Sequence, residues 1–246
     1  MSAELVVFLL IGAAAGGFIN GLAGFGTALF ALGWWLQVMP PLQAVALVLV
    51  MSVCSGIQGV FVVRHAIQPK RLARFLVPAL FGIPLGLQIL HRVDADTLKM
   101  VVAVLLLTYG GYFAFRRDLP TLTQPTPIID AVIGFLGGIL GAIAGLSGAL
   151  PTMWLSMRDW KKEQTRAVLQ PYNVIVIAIA ATLLAFTGAF TRETLILIAL
   201  ALPVTMIAAQ VGIQTYKRLS DNQFRRLLIA MLLLSGIILL IREALF

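Results

Sequence analysis

The sequence predicts an all-α integral membrane protein built from two inverted repeats. Three observations lead to this fold class: a composition too apolar for a soluble domain, glycine-dense segments that recur in both halves of the chain, and loop charges that alternate between the halves. Each repeat is expected to hold a glycine-broken helix hairpin, either re-entrant or made of two short spans, and three transmembrane helices. The whole chain then has eight to ten membrane segments.

Composition decides the class of protein. Hydrophobic residues make up 60% of the 246 residues and charged residues only 11%, whereas a soluble domain carries about 25% charged residues. The net charge of +8 comes from Lys and Arg in short loops between apolar segments, which is typical of topology-setting charges and argues against nucleic acid as a partner. The single cysteine, Cys54, leaves no disulfide framework and no thiolate metal cluster.

Apolar segments divide the chain, and most have about the 20 residues that cross a bilayer. They run over residues 5–38, 42–63, 75–90, 98–115, 128–157, 167–190, 194–215 and 224–241. The first one lacks a basic start and continues past Ala13–Ala15, so we expect it to be retained as a membrane segment and not cleaved.

Two of these segments, 5–38 and 128–157, are too long for one crossing. As a single helix, residues 5–38 would measure about 50 Å, against a hydrocarbon core of about 30 Å. The sequence therefore predicts a break in each, at the glycine-dense stretches 21–26 and 145–148. The outer glycines are expected to serve close helix packing instead; they are Gly12, Gly16, Gly134, Gly138 and Gly141.

The two halves of the chain align with each other. An offset of 121 residues aligns the glycine breaks, and an offset of 126 residues aligns the later helices. The equivalent pairs include Gly24 and Gly145, Ser52 and Asn173, and Gly86 and Gly212. We predict an internal duplication, a common feature of transporters, with repeats over residues 1–120 and 121–246 of one membrane domain.

Loop charges orient the repeats. Basic residues follow the second apolar segment in the first half (64–74), but they directly follow the glycine break in the second half (158–166). Basic loops stay in the cytoplasm, so equivalent loops are expected on opposite sides of the membrane. This inversion requires a hairpin at each break. Both termini are then predicted outside the cytoplasm, and the linker around Thr121–Pro127 inside.

The breaks form the candidate site. A helix that restarts after a break presents free N–H groups and the positive end of its dipole, which bind anions without a full charge. The apolar spans carry no Asp, Glu, Lys or Arg deep inside, so we expect a neutral, donor-rich lining for a small anion. The candidate substrate-binding residues are Asn20, Gly24, Gly26, Thr27, Ser52, Gly145, Ser147, Gly148, Gln170 and Asn173. For Asn173, interhelical hydrogen bonding is an open alternative.

An enzyme is the less favoured class. The stretch Gly145-Leu-Ser-Gly148 has the form of an intramembrane serine protease motif, but such a serine needs a base on a later helix. The histidines, His65 and His91, both precede it and lie in or beside loops. The sequence shows no carboxylate pair and no cluster of metal ligands. We therefore predict no catalytic residue, no metal and no cofactor.

The glycine-rich stretches Gly16–Gly26 and Gly137–Gly148 resemble those of the TauE/SafE sulfite exporter family, also called the toluene-sulfonate uptake permease family. The two-repeat layout is similar over essentially the whole chain. The resemblance implies a multi-pass carrier of sulfite or organosulfonates in the bacterial inner membrane, and we expect export by alternating access around the two breaks.

Two further functions stay open: a small-anion channel and a carrier of a non-sulfur organic anion. The expected partners are the small anionic substrate and the lipid bilayer, with a homodimer left open.

Overall fold

Helices account for almost all of the chain that the structure describes. The computed structural model describes residues 3–90, 104, 107, 111, 122, 124–186 and 188–245, and these contain no β-strand beyond an isolated bridge between Leu122 and Arg158. The helices are α1 (Ala3–Ala23), α2 (Thr27–Trp35), α3 (Pro41–Val63), α4 (Pro69–Leu90), α5 (Pro127–Ala144), α6 (Ala149–Ser156), α7 (Lys162–Ala185), α8 (Arg192–Arg218) and α9 (Asp221–Leu245). The predicted all-α class is confirmed.

Several of these helices are long and apolar enough to cross a membrane. Within the described residues the candidate spans are Ala3–Ala23, Leu42–Ala66, Pro69–Ile89, Lys162–Ala185 and Arg192–Arg218. Large apolar side chains such as Phe61, Phe81 and Ile207 are 64%, 71% and 67% exposed, which suits a surface surrounded by lipid. The chain is therefore a multi-pass membrane protein. The predicted segment 98–115 lies outside the described residues, apart from residues 104, 107 and 111.

Helix α7 begins earlier than the apolar pattern predicts. The apolar segment starts at residue 167, but the helix starts at Lys162. Gln164 Oε1 accepts a hydrogen bond from the Lys161 N–H at 3.3 Å, which stabilises an additional first turn. The polar residues 162–166 are consequently helical, and Thr165 and Arg166 among them are buried.

The first overlong segment breaks at the predicted glycines. Helix α1 ends at Ala23 and α2 begins at Thr27. Between them, Gly24 and Gly26 have φ angles of 90° and 98°, a left-handed conformation that glycine adopts without steric cost. We call Gly24–Thr27 the first tip.

Helix α2 runs back along α1. Near the tip, Thr27 Cγ2 lies 3.0 Å from the position of a Cβ on Gly16. At the far end, the Trp35 indole Nε1–H donates to Leu9 O at 3.1 Å. Helix α2 has nine residues and is about 13 Å long, so it is too short to cross a core of about 30 Å. Its length fits a re-entrant arm.

The second overlong segment forms a matching hairpin. Helix α5 ends in Gly145 at a φ angle of 68°, and the Gly145 N–H donates to Gly141 O at 3.0 Å to close the last turn. Helix α6 has eight residues, and the Trp154 indole Nε1–H donates back to Asp130 Oδ1 at 2.7 Å in the first turn of α5. We call Gly145–Gly148 the second tip.

Each long hairpin arm packs closely against a helix of the other half. Helix α1 meets α8, where a Cβ on Gly17 would lie 2.5 Å from Thr205 O. Helix α5 meets α4, where a Cβ on Gly138 would lie 2.4 Å from Ala79 O. These distances are too short for any side chain, so the backbones touch. Gly17 and Gly138 differ by the offset of 121 residues, and Ala79 and Thr205 differ by the offset of 126.

Helices α3 and α7 pack against each other, α3 packs against the first hairpin and α7 packs against the second. The largest fully buried side chains in this core include Phe25, Trp35, Leu47, Met51 and Tyr172. Phe25 belongs to the first tip and Ser147 of the second tip is 0% exposed, which places both breaks in the interior of the protein.

Candidate functional site

The two hairpin tips touch each other. A Cβ on Gly148 of the second tip would lie 2.5 Å from the Phe25 Cβ of the first, and a Cβ on Gly145 would lie 3.5 Å from the Ala28 Cβ. Phe25 and Ser147 are 2% and 0% exposed, so the contact is buried. The structure therefore brings together the two breaks that the sequence singled out.

Both short arms begin at ends without a side-chain cap, after Gly26 for α2 and after Gly148 for α6. The first N–H groups of a helix lack intrahelical partners and carry the positive end of the helix dipole. Thr27 is 2% exposed, and its Oγ1 has no hydrogen-bond partner among the described residues. At α6, the Ala149 N–H already donates to Leu146 O at 3.2 Å. Both ends offer donors to an anion, and the end at α6 is the more satisfied of the two.

Asn20 binds helix α3. Its side chain is fully buried, and its Nδ2 donates to Ser55 Oγ at 2.7 Å and to Ser52 O at 3.1 Å. Ser52 therefore contributes its main-chain carbonyl, and the hydroxyl partner is Ser55, which the sequence analysis did not select. Asn20 Oδ1 has no partner within the described part of the chain.

Helix α7 contacts both tips through two amide side chains. At the second tip, Ser147 Oγ donates to Asn173 Oδ1 at 2.5 Å. At the first tip, a Cβ on Gly24 would lie 2.8 Å from Gln170 Oε1. The interhelical hydrogen bond that was the alternative role for Asn173 is present, and its partner is a residue of the tip itself.

Gly26 stays within its own hairpin. The atoms nearest to a Cβ at this position are Ile19 Cγ2 at 3.0 Å and Phe30 Cδ2 at 3.9 Å. Its contribution is the left-handed turn that positions the start of α2, because no residue of the second tip is among these neighbours.

A buried arginine at the first tip contradicts the expected neutral lining. Arg166 is 0% exposed. Its Nε donates to Gln170 Oε1 at 3.0 Å, its Nη2 to Gly21 O at 2.6 Å and its Nη1 to Leu22 O at 3.4 Å. The guanidinium carbon lies 4.2 Å from the centroid of the Tyr216 ring. The expectation of spans without a deep charge is wrong at this residue.

A sequence signal for Arg166 exists but is weak. Arg166 precedes Gln170 by four residues and Asn173 by seven, so all three share one face of a helix once the helix begins at Lys162. The apolar pattern starts the span at residue 167 and leaves Arg166 in the loop. A hydropathy pattern does not detect the capping contacts at Lys161–Gln164 that extend the helix. Arg166 is therefore predicted to lie in an exposed loop, whereas it lies in a buried part of α7.

A comparison at the level of the family identifies the kind of protein that carries these tips. A sequence model of the family described as Sulfite exporter TauE/SafE matches residues 8–239, nearly the whole chain. The chain belongs to the TauE/SafE family. Comparisons with curated proteins and with solved structures find no match. Its apolar helices and its family together make it a TauE/SafE membrane transporter.

A second buried arginine of this TauE/SafE transporter lies at the open end of the second hairpin. Arg158 is 4% exposed, and its Nη2 lies 3.0 Å from Asp130 Oδ1, which is also buried. Arg158 also donates to Gln124 O and to Thr126 Oγ1. Arg158 and Arg166 therefore both have internal partners, although the sequence analysis counted them as loop charges. Fewer basic loop residues are consequently left to set the orientation of the two halves in the membrane.

The environment of Ser147 does not suit a nucleophile. Its hydroxyl donates to an amide oxygen of Asn173, which cannot take up a proton as a general base would. His65 is 67% exposed in its side chain and lies 3.8 Å from Glu163, on the surface. His91 lies outside the described residues. In this TauE/SafE protein, Ser147 therefore connects the second tip to α7.

Proposed function

We propose that this protein moves a small sulfur-containing anion, of the sulfite or organosulfonate type, out of the cell across the bacterial inner membrane. Transport occurs by alternating access around a site formed by the two hairpin tips. The observation that carries the proposal is the buried contact of Phe25 with Gly148 and of Ala28 with Gly145. Two helix starts without side-chain caps then meet in the interior, where their N–H groups and dipoles favour an anion.

The repeat arrangement in this proposal is an inverted duplication over residues 1–120 and 121–246. It is supported by the equivalence of the two helix interfaces, in which Gly17 opposes Thr205 as Gly138 opposes Ala79. Inverted repeats with broken helices at the centre are common in secondary transporters, and their sites lie near the bilayer midplane. In the proposed topology both termini lie outside the cytoplasm and the linker lies inside. The protein acts as a carrier and not as an enzyme.

The direct test is sulfite flux into proteoliposomes that contain the purified full-length protein. Saturation of the initial rate with rising sulfite concentration indicates a carrier, whereas a linear rise indicates a small-anion channel. Gly148→Leu and Gly26→Leu should both abolish flux, because the first forces the tips apart at Phe25 and the second strains the turn before α2. Ala199→Leu introduces the same leucine side chain at an exposed position of α8 and should transport normally.

The folding of each variant after extraction from the membrane is checked by its elution profile in detergent. Normal flux in both glycine variants would exclude the tips as the site. The sulfur chemistry is tested separately by thermal stabilisation with sulfite, thiosulfate, sulfonates and carboxylates. Stabilisation by carboxylates alone would overturn the sulfur substrate and leave an organic-anion carrier.

A further inference from the structure

A polar stripe follows one face of α7 toward the tips. Lys162, Arg166, Gln170 and Asn173 are spaced by four, four and three residues, which keeps them on one face of the helix. Lys162 is half-buried near the start of α7, and Asn173 contacts the second tip. The stripe therefore connects the surface with both tips, and Arg166 is its buried charge.

Arg166 has no carboxylate partner in the part of the chain that the structure describes. Its hydrogen bonds go to the neutral oxygens of Gln170, Gly21 and Leu22. Arg158, the other buried arginine, has Asp130 at 3.0 Å. A buried charge without a counter-charge is costly, so the difference between the two arginines needs an explanation.

Hydrogen-bond donors exceed acceptors at this position. A guanidinium has five N–H donors, and the three hydrogen bonds above use three of them. Gln170 is 0% exposed, and its Nε2 has no partner among the described residues. The remaining donors of Arg166 and Gln170 require an acceptor. A buried donor without one gives up its hydrogen bond to water and forms no other in the protein, which costs free energy. An oxyanion supplies acceptor oxygens and the missing negative charge together.

Two glycines keep this guanidinium–amide pair in place. A Cβ on Gly59 of α3 would lie 2.4 Å from Gln170 Oε1 and 2.9 Å from Arg166 Nη2, and a Cβ on Gly24 would lie 2.8 Å from the same Oε1. The backbone of the first tip thus approaches the pair as closely as glycine allows. Arg166 and Gln170 therefore belong to the tip and not only to α7.

Capping of α1 explains only part of this arrangement. The bonds from Arg166 to the carbonyls of Gly21 and Leu22 satisfy the end of α1, where a cation is favourable. Among the described residues, they leave the charge without a counter-ion and the Gln170 Nε2 without an acceptor. A purely structural cap needs neither of these features.

We propose that Arg166 is the counter-charge of the transported anion, and that its guanidinium and the Gln170 amide hold a singly charged oxyanion at the first tip. This inference rests on the proposed function and narrows it. The substrate is a monoanion such as bisulfite or a sulfonate, because one arginine without a buried carboxylate beside it balances one negative charge. The first tip, and not the second, carries the charge recognition.

The test is anion binding to the purified full-length protein, measured by calorimetry with sulfite, thiosulfate and methanesulfonate. Arg166→Gln should raise the Kd of the bound anion roughly tenfold to hundredfold, the range expected for hydrogen bonds to a charged group. Arg192→Gln removes the same charge at an exposed position and should leave the Kd within about twofold.

Gln170→Glu separates recognition from structure, and it decides the question if Arg166→Gln does not fold. The new carboxylate gives Arg166 an internal partner at the distance of the present hydrogen bond, 3.0 Å. The variant should unfold at the wild-type temperature or above and yet lose anion binding, because the site neutralises itself. Binding at wild-type affinity in this variant, or in folded Arg166→Gln, would show that Arg166 is only a cap.

Anion binding and sulfite flux of the wild-type protein distinguish a wrong role for Arg166 from a wrong proposed function. Saturable sulfite flux with unchanged binding in the Arg166 and Gln170 variants overturns the counter-charge alone. Absence of binding by all three anions and of sulfite flux in the wild type overturns both proposals.

Discussion

Gly24 in the first tip and Gly145 in the second are related by the offset of 121 residues, and both have left-handed φ angles, 90° and 68°. Their neighbours differ. The atom nearest to a Cβ on Gly24 is Gln170 Oε1, whereas a Cβ on Gly145 would meet Val48 and Leu49 of α3. Leu49 and Gln170 are themselves related by the offset of 121. The two tips therefore share a left-handed glycine at the end of the long arm and differ in their lining.

The ends of the long arms differ in the same direction. At the second tip, the N–H groups of Gly145 and Leu146 donate to Gly141 O and Leu140 O, so α5 closes its own end. At the first tip, the Gly24 N–H donates to Asn20 O in the same way, and Arg166 from the other half of the chain donates in addition to Gly21 O and Leu22 O. Both tips therefore contact α7, the second through the hydrogen bond of Ser147 to Asn173 and the first through Arg166 and Gln170. The buried charge of Arg166 is therefore the main difference between the ends of the two long arms.

The strongest way to test this asymmetry is to exchange the two linings. Gln170→Leu gives the first tip the apolar lining of the second. We expect the initial rate of sulfite flux in proteoliposomes to fall at least about tenfold, because Arg166 loses its side-chain acceptor and the tip loses an amide. Leu49→Gln buries an amide among apolar neighbours and should lower the free energy of unfolding by about 1–3 kcal/mol. Its flux per folded protein should stay near the wild-type value, and equal flux losses in the two variants would contradict the asymmetry.

A smaller effect is expected from alanine at the two equivalent glycines. Gly24→Ala and Gly145→Ala each place a Cβ on a left-handed residue, at a cost of about 1–2 kcal/mol in folding free energy. The unfolding temperature in detergent should therefore fall by similar amounts in the two variants. Only the Cβ at Gly24 presses on Gln170, since the atoms nearest to a Cβ on Gly145 are 3.5 Å away or farther. Flux should fall several-fold more in Gly24→Ala, and the reverse order would place recognition at the second tip.

The smallest effect is expected at the side-chain hydrogen bonds that join the first hairpin to α3 and the second hairpin to α7. Ser147→Ala removes the bond to Asn173, and Ser55→Ala removes the bond to Asn20. Each should lower the free energy of unfolding by about 1 kcal/mol, the net value of one buried hydrogen bond. Both variants should retain more of their flux than Gln170→Leu. A loss of flux in Ser147→Ala as large as in Gln170→Leu would show that the second tip also recognises the anion.

The sequence predicted the helices and the breaks because both depend on local properties. Segment length required a break in 5–38 and 128–157, and glycine density placed it, since only glycine adopts the φ angles at Gly24, Gly26 and Gly145 readily. Close helix packing, the role predicted for the outer glycines, is observed at Gly138, where a Cβ would lie 2.4 Å from Ala79 O. These features are fixed by covalent geometry and by residue size.

The surroundings of Arg166 could not be predicted in the same way. Hydropathy gives the preference of each residue type for water or for an apolar medium. The burial of Arg166 depends instead on its contacts with the end of α1 and with Tyr216, 50 residues further along the chain. The pairing of Arg158 with Asp130 escapes hydropathy for the same reason. From sequence alone, a charged residue beside an apolar segment is predicted to lie in a loop, because its contacts in the folded protein are not known.

The backbone contact of α1 with α8, and of α5 with α4, has a mechanical consequence. Each hairpin is joined most closely to a helix encoded in the opposite half of the gene, without side chains between them that could yield. A rocking motion that separates the tips would carry α1, α2 and α8 together as one lever and α4, α5 and α6 as the other. Each group of helices that would move together therefore combines helices from both halves of the chain.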